Sequence, residues 1–209
     1  MPQIKKEVIL FGIPGSPGIA HGTVFRFLHQ DVEVPSYQIN ESERESELDR
    51  FKTAVDITRD QITEIRKAVS SNLGEKEAGI FDAHLLVLED QALFDDINKE
   101  IQDSGDNIEQ CVFRVTKRYH DYFNQLEDEY LRERAADLKD ISKRLLRNLI
   151  GETGAGTAFL EEPRILASED LSPSDTASLD RNKILGIATD TGGRTAHAVI
   201  MARASGVPA

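Results

Sequence analysis

Apolar residues along the chain follow three regimes, and the changes between them mark out its organisation. Over residues 8–28 they are β-branched or aromatic and are punctuated by Gly12, Pro14, Gly15, Pro17, Gly18 and Gly22, which predicts two short strands around a tight turn. From Asn40 to Ile150 no proline occurs, and apolar residues recur at helical spacing. Leu48, Phe51, Val55, Ile62, Ile65 and Val69 predict one helix, broken near residues 72–74. Shorter helices are expected over 81–88 and 93–101. A long one carries Ile108, Val112, Val115, Tyr119, Tyr122, Leu126 and Tyr130, and a last one carries Leu138, Ile141, Leu145 and Leu149. The short loops between them predict an antiparallel bundle.

After Gly151 a Gly/Thr/Ala-rich loop reaches Thr157. An apolar stretch (164–167), a helix opened by Ser172-Pro173, a strand (183–189), a loop (190–194) and a helix ending near Gly206 follow. Strand and helix in alternation is the pattern of an α/β unit. The expectation is therefore a discontinuous α/β domain from residues 1–30 and 151–209, with an all-helical domain, 31–150, inserted between its halves. The chain stops where a further strand is expected, so it reads as truncated.

Composition adds restrictions. The 209 residues carry a formal charge of −12, and residues 40–150 hold 26 acidic against 17 basic side chains. That balance argues against nucleic acid, whose affinity comes from Lys and Arg on phosphates, and makes the helical segment the natural docking surface for a basic protein. The apolar run Val8, Ile9, Leu10, Phe11 is too short for a membrane span or a signal-peptide core, so the cytoplasm is the default. Cys111, the single cysteine, falls at core spacing with Ile108, Val112 and Val115.

The chemistry-bearing stretch runs from Asp190 to Pro208. Gly192 and Gly193 follow a strand and let backbone N–H groups approach a phosphate. The next helix brings its positive end near His197, whose neutral imidazole is a nucleophile toward phosphorus. Arg194 and Thr195 are candidates to contact the phosphoryl group, while Val199, Ile200 and residues 202–204 are expected on the buried side of the helix. From these residues alone the plainer reading of His197, a helix-capping or partly buried polar residue, comes ahead of phosphoryl chemistry. No second His, Cys or carboxylate stands at metal-ligand spacing from it.

The string GGRTAHAVIMARASGVPA (192–209) resembles the phosphohistidine signature of enzyme I of the phosphoenolpyruvate:sugar phosphotransferase system and of its relatives the dikinases. SPGIAHG (16–22), GIFDAHLLVLED (79–90) and DEYLRERAADLKDISKRLLRNLIG (128–151) resemble enzyme I in particular. The resemblance covers nearly the whole chain. It implies a swivelling phosphohistidine domain with an inserted helical domain that binds the phosphocarrier protein HPr. It further implies His197 as the residue that takes a phosphoryl group on Nε2 from phosphoenolpyruvate and passes it to HPr, with Thr176 orienting the ring. Periodicity alone reads Leu86 or Leu93 as core and His84 as a surface or satisfied histidine; the resemblance instead implies HPr contacts at His84, Leu86, Val87, Asp90 and Leu93, with Arg134 nearby, and leaves Leu85 and Leu88 for the bundle interior. Phosphoenolpyruvate, Mg²⁺ and the homodimer contact belong in the family to a carboxy-terminal barrel, so no cofactor is expected in this chain. The alternatives are the swivelling domain of a pyruvate phosphate dikinase-like enzyme, against which stands the absence of a Walker-type phosphate loop, and a non-catalytic partner-binding module.

Overall fold

The computed structural model describes residues 7–28, 32–152, 160–193 and 196–209, with backbone alone over 129–133. Strands β1 (Val24–Arg26), β2 (Arg164–Ser168) and β3 (Ile184–Thr189) form a parallel sheet in the order β1-β2-β3. Val24 pairs with Ile165, and Leu166 with Ile187. An early segment thus shares one sheet with two late ones, and the intervening chain is helical.

That helical part begins at Asn40, whose side chain and backbone N–H exchange hydrogen bonds with Glu43 across a 3₁₀ turn (Glu41–Glu43). Helix α1 (Arg44–Leu73) runs on until Gly74, at φ 117°, takes a backbone angle that side chains resist. Helices α2 (Glu75–Leu88), α3 (Gln91–Ser104), α4 (Ile108–Asn124) and α5 (Glu129–Ile150) complete the bundle. Asp90 caps α3 by accepting from the Ala92 N–H at 2.9 Å, and Gly105 ends it in the left-handed conformation. Helix α6 (Pro173–Ser178) is opened by the reciprocal pair Ser172 and Asp175, and α7 (His197–Ser205) is closed by Gly206 at φ 68°.

Three apolar clusters hold these elements. One joins α1, α3, α4 and α5 through Phe51, Ile97, Ile101, Val112, Val115 and Leu145. A second fills the α/β unit with Phe27, Leu166, Ile184, Ala198 and Ala202. The third crosses between the two parts: Ile62, Val69, Ala78, Phe81, Leu88 and Ile141 of the bundle enclose Met201 of α7, with Ala177 of α6 at its margin.

Three expectations need correction. Residues 8–13 form no strand; Val8, Ile9, Leu10, Phe11 and Ile13 are exposed. Regular pairing needs a neighbouring strand, and the first ladder-like bonds come at Gly15 and Ser16, whose N–H groups donate to Ala209 O at 2.9 and 3.0 Å. Ala209 N–H donates back to Ser16 O at 3.2 Å, and Ile187 N–H to Pro208 O at 2.8 Å. Secondly, the long fourth helix ends at Asn124, and Tyr130 belongs to α5. The turn between them contains neither Gly nor Pro, so nothing in the residue types announces it. Thirdly, the buried face of α7 is Ala198, Met201 and Ala202, whereas Ile200 and Ala204 are exposed.

One ion cluster ties three helix ends together. Glu47 Oε2 accepts from the Ile108 N–H at the start of α4 at 2.9 Å, and Arg50 donates to Glu47 and Glu109 and, at 3.2 Å, to Leu149 O at the end of α5. Anion at a helix start and cation at a helix end are the favourable arrangement. Burial works against the charged Arg50, yet the bonds to Glu47 and Glu109 outweigh it and hold its pKa above the ordinary value. Glu109 is 2% exposed. Removing the guanidinium strands that carboxylate, so Arg50→Ala is expected to lower the urea-unfolding free energy by at least about 2 kcal/mol. A loss below about 0.5 kcal/mol, as at an ordinary surface site, would contradict this account of the cluster.

Candidate functional site

His197 is the first residue of α7, and Ala196 before it supplies no side-chain cap. The leading N–H groups of the helix, with the positive end of its dipole, therefore favour an anion at this end. The approach depends on Gly192, at φ 100°, where an added Cβ would also stand 3.0 Å from the Ala196 Cβ. The Gly193 backbone is open on that side. Arg194 and Thr195 lie outside the described residues.

The half-buried His197 side chain lines a cleft of about 170 Å³ together with Pro173 of α6, Ile200 and Met201 of α7, and Lys76, Glu77, Ile80 and Phe81 of α2. The histidine thus faces the bundle across the third apolar cluster. Lys76 is the residue that sequence reasoning did not select. It lies two residues after Gly74 in the first turn of α2, and only the packing of α2 against α7 brings it to a cleft that His197 also lines. Its nearness in sequence to the 79–90 motif is the one signal available beforehand.

Thr176 is buried, and its hydroxyl donates within its own helix, to Pro173 O at 2.9 Å and Ser172 O at 3.1 Å. One hydrogen is thereby committed, and toward any further group this oxygen acts as acceptor. Thr176 also lines a second cleft, of about 580 Å³, between the end of α1 and α6, β3 and α7.

The residues implied as partner contacts divide into two sets. Leu86 is 66% exposed on α2, Asp90 is exposed at the α3 cap, and Arg134 is partly exposed and 3.6 Å from Asp137. Val87 is half-buried and packs against two apolar clusters. His84 and Leu93 are both buried, as helical spacing alone reads Leu93, whereas the resemblance implies partner contacts at both. Leu93 is buried in the first cluster with Ile97 and Phe51. His84 is fully enclosed: its ring meets Phe81 edge-on, and its Nε2–H donates to Asp137 Oδ1 at 3.3 Å. Leu88 is interior and Leu85 packs at the margin of the third cluster. Cys111 is buried, and burial pushes its thiol pKa up, which keeps it in the poorly nucleophilic thiol form.

Among the described residues no three His, Cys, Asp or Glu side chains gather in a way that could hold a metal ion, and no helix is long and apolar enough to cross a membrane.

Comparison with known proteins agrees with this geometry. The profile of the family described as "PEP-utilising enzyme, N-terminal" matches residues 11–134, and that of "PEP-utilising enzyme, mobile domain" matches residues 160–209. The chain belongs to the PEP-utilising enzymes. It is 42% identical over 200 residues to the phosphoenolpyruvate-protein phosphotransferase of Listeria monocytogenes and 36% identical to that of Bacillus subtilis. Each alignment covers 96% of this chain and 35% of the relative, so the chain spans about a third of the length of these relatives. A solution structure of Enzyme I (nEIt) superposes with a TM-score of 0.75 at 36% identity, over 96% of this chain and 81% of that one. The amino-terminal domain of Enzyme 1 - Nitrogen superposes at 0.62 and 27% identity, over 94% of this chain and 80% of that one. The resemblance to enzyme I and the expected fold, an α/β unit carrying a helical bundle between its halves, are both borne out.

The backbone at Gly192 makes a stability prediction. Gly192→Ala places a side chain at a positive φ and against Ala196, and is expected to cost about 1–3 kcal/mol in urea unfolding. Gly193→Ala, with open space and no positive φ, is expected to stay within about 0.5 kcal/mol of the parent. Equal effects at the two positions would overturn the claim that the loop depends on glycine at 192 and not at 193.

Proposed function

We propose that this chain is the phosphoryl-carrying part of a phosphoenolpyruvate-protein phosphotransferase, in which His197 receives a phosphoryl group and exchanges it with HPr in sugar uptake. The observation that carries the reading is a histidine that opens α7, after an Ala196 with no capping side chain, and lines a cleft that Lys76 also lines. The helix start favours the dianionic phosphoryl group; of the two charged residues on the cleft, Lys76 adds to that and Glu77 opposes it.

In the forward direction the lone pair of neutral His197 Nε2 attacks phosphorus in line. The N–P bond forms as the bond from phosphorus to the enolate oxygen of phosphoenolpyruvate breaks, and the ring keeps its hydrogen on Nδ1. Thr176, whose own hydrogen is committed to α6 carbonyls, is an acceptor suited to that Nδ1–H and so to holding the reactive tautomer. Transfer onward breaks the N–P bond as a histidine of HPr attacks. The protein's part is positioning and charge; Arg194 and Thr195, with the backbone of Gly192 and Gly193, are assigned to the phosphoryl oxygens.

Phosphoenolpyruvate binding and Mg²⁺ are assigned to the portion of the relatives that this chain does not span, as is homodimerisation. The described residues offer no cluster fitted to the metal, and no step here is routed through it. The division into 1–30 with 151–209 and 31–150 is retained as the working boundary between carrier and docking parts, and the cytoplasm as the working location. HPr is assigned to the bundle, over Leu86, Asp90 and the Val87 and Arg134 margin.

Two experiments test the reading. Incubated with ³²P-labelled phospho-HPr, the chain is expected to take up acid-labile, alkali-stable label. His197→Ala should take up none while binding HPr, by calorimetry, within about two-fold of the parent. Label retained by the variant would contradict the assignment of His197. Leu86→Glu, which adds charge at an exposed apolar anchor without disturbing the core, is expected to weaken HPr binding by about ten-fold or more at unchanged thermal stability. Unchanged affinity would move the docking surface elsewhere.

A further inference from the structure

The enclosed His84 sits at the seam between the bundle and the α/β unit. Two carboxylates of α5 flank its ring: Asp137 Oδ1 lies 3.3 Å from Nε2, and Asp140 Oδ2 lies 3.9 Å from Nδ1. All three residues are buried, and Nδ1 has no hydrogen-bond partner within normal range. The same Asp140 Oδ2 accepts the Ser174 backbone N–H at 3.2 Å, from the first turn of α6. Ser174 follows Pro173, which lines the His197 cleft, and precedes Thr176 by two residues.

Other charges near this pair include Arg134, 3.6 Å from Asp137 Oδ2, and Arg144, a half-buried guanidinium of α5 with Asp140, Asp175 and Arg147 in its surroundings. Arg144 donates to Gln61 Oε1 of α1 at 3.2 Å. The seam is therefore a polar chain laid beside the apolar contact of Met201, running from α2 through α5 to the backbone of α6. A buried carboxylate needs its lone pairs engaged, and the ring beside Asp140 restricts where that carboxylate can point.

We propose that His84 is a positioning residue, buried between Asp137 and Asp140, which fixes the Asp140 carboxylate on the Ser174 amide and so sets where α6, with Pro173 and Thr176, stands against His197. On this account a histidine within the 79–90 motif acts from inside the bundle on the phosphoryl site and does not touch HPr. The functional consequence rests on the phosphotransfer reading above; the structural link does not.

The two parts separate in one experiment on the full 209-residue chain, comparing parent, His84→Gln and Asp140→Asn. By ¹H–¹⁵N spectroscopy, both variants are expected to shift the Ser174 amide upfield and to speed its hydrogen exchange by about ten-fold. In transfer from phospho-HPr, both are expected to lower the rate at saturating HPr by about three-fold or more, with the half-saturating concentration unchanged. Should His84→Gln fail to fold, His84→Phe, which keeps an aromatic ring beside Phe81 but removes both nitrogens, carries the test of the histidine, and Asp140→Asn reports on the acceptor alone. An unmoved Ser174 amide in a folded variant would overturn the link. A raised half-saturating concentration at an unchanged saturating rate would overturn the positioning role in favour of direct docking by His84. If even the parent accepts no phosphoryl group, the functional reading fails, and the Ser174 arm still decides whether the link exists.

Discussion

The apolar seam around Met201 is the contact on which the arrangement of this molecule depends. Met201 of α7 is enclosed by Ile62 and Val69 of α1, Ala78, Phe81 and Leu88 of α2, and Ile141 of α5. An unbranched thioether fills such an irregular gap well. Because His197 lies one helical turn before Met201 on the same helix, burying Met201 obliges His197 to face α2. Lys76 and Glu77 come to the cleft for the same reason. Loss of the seam would leave each part with its own core, but His197 with no defined neighbour on the bundle.

Around this contact the two parts are built on different physics. The bundle is held by local helix signals, Asn40, Asp90, Gly74 and Gly105, and by buried apolar faces, with Arg50 bridging the ends of α4 and α5. The α/β unit is assembled from distant pieces. β1 reaches the sheet from before the bundle, and Gly15 is fastened twice, by its N–H to Ala209 O and by its carbonyl accepting from Arg203 Nη2 at 2.5 Å. Those non-local contacts stabilise the platform on which α7 presents the histidine.

How far the residues announce this structure depends on whether the cause is local. Helix starts and stops were legible because Asn40, Gly74, Ser172-Pro173 and Gly206 act within a turn of themselves. The phosphohistidine segment was legible because its resemblance is a contiguous string. The separation of α4 from α5 was not, since residues 125–128 lack Gly and Pro. The burial of Leu93 was legible, since helical spacing sets it with Ile97 and Ile101, and only the resemblance moved it to the surface. The burial of His84 was not, because a histidine on a helix announces neither face and tertiary packing decides. Lys76 is the clearest case: its place on the cleft that His197 lines exists only once α2 and α7 have met across Met201.

Nuclear Overhauser contacts in a selectively methyl- and histidine-labelled chain test this seam most directly. The account predicts cross-peaks from the Met201 ε-methyl to the Phe81 ring and an Ile62 methyl, together with cross-peaks from the His197 ring to the Ile80 side chain. Their absence in the folded chain, with His197 contacts confined to its own α/β unit, would contradict the claim that the seam presents the histidine to the bundle.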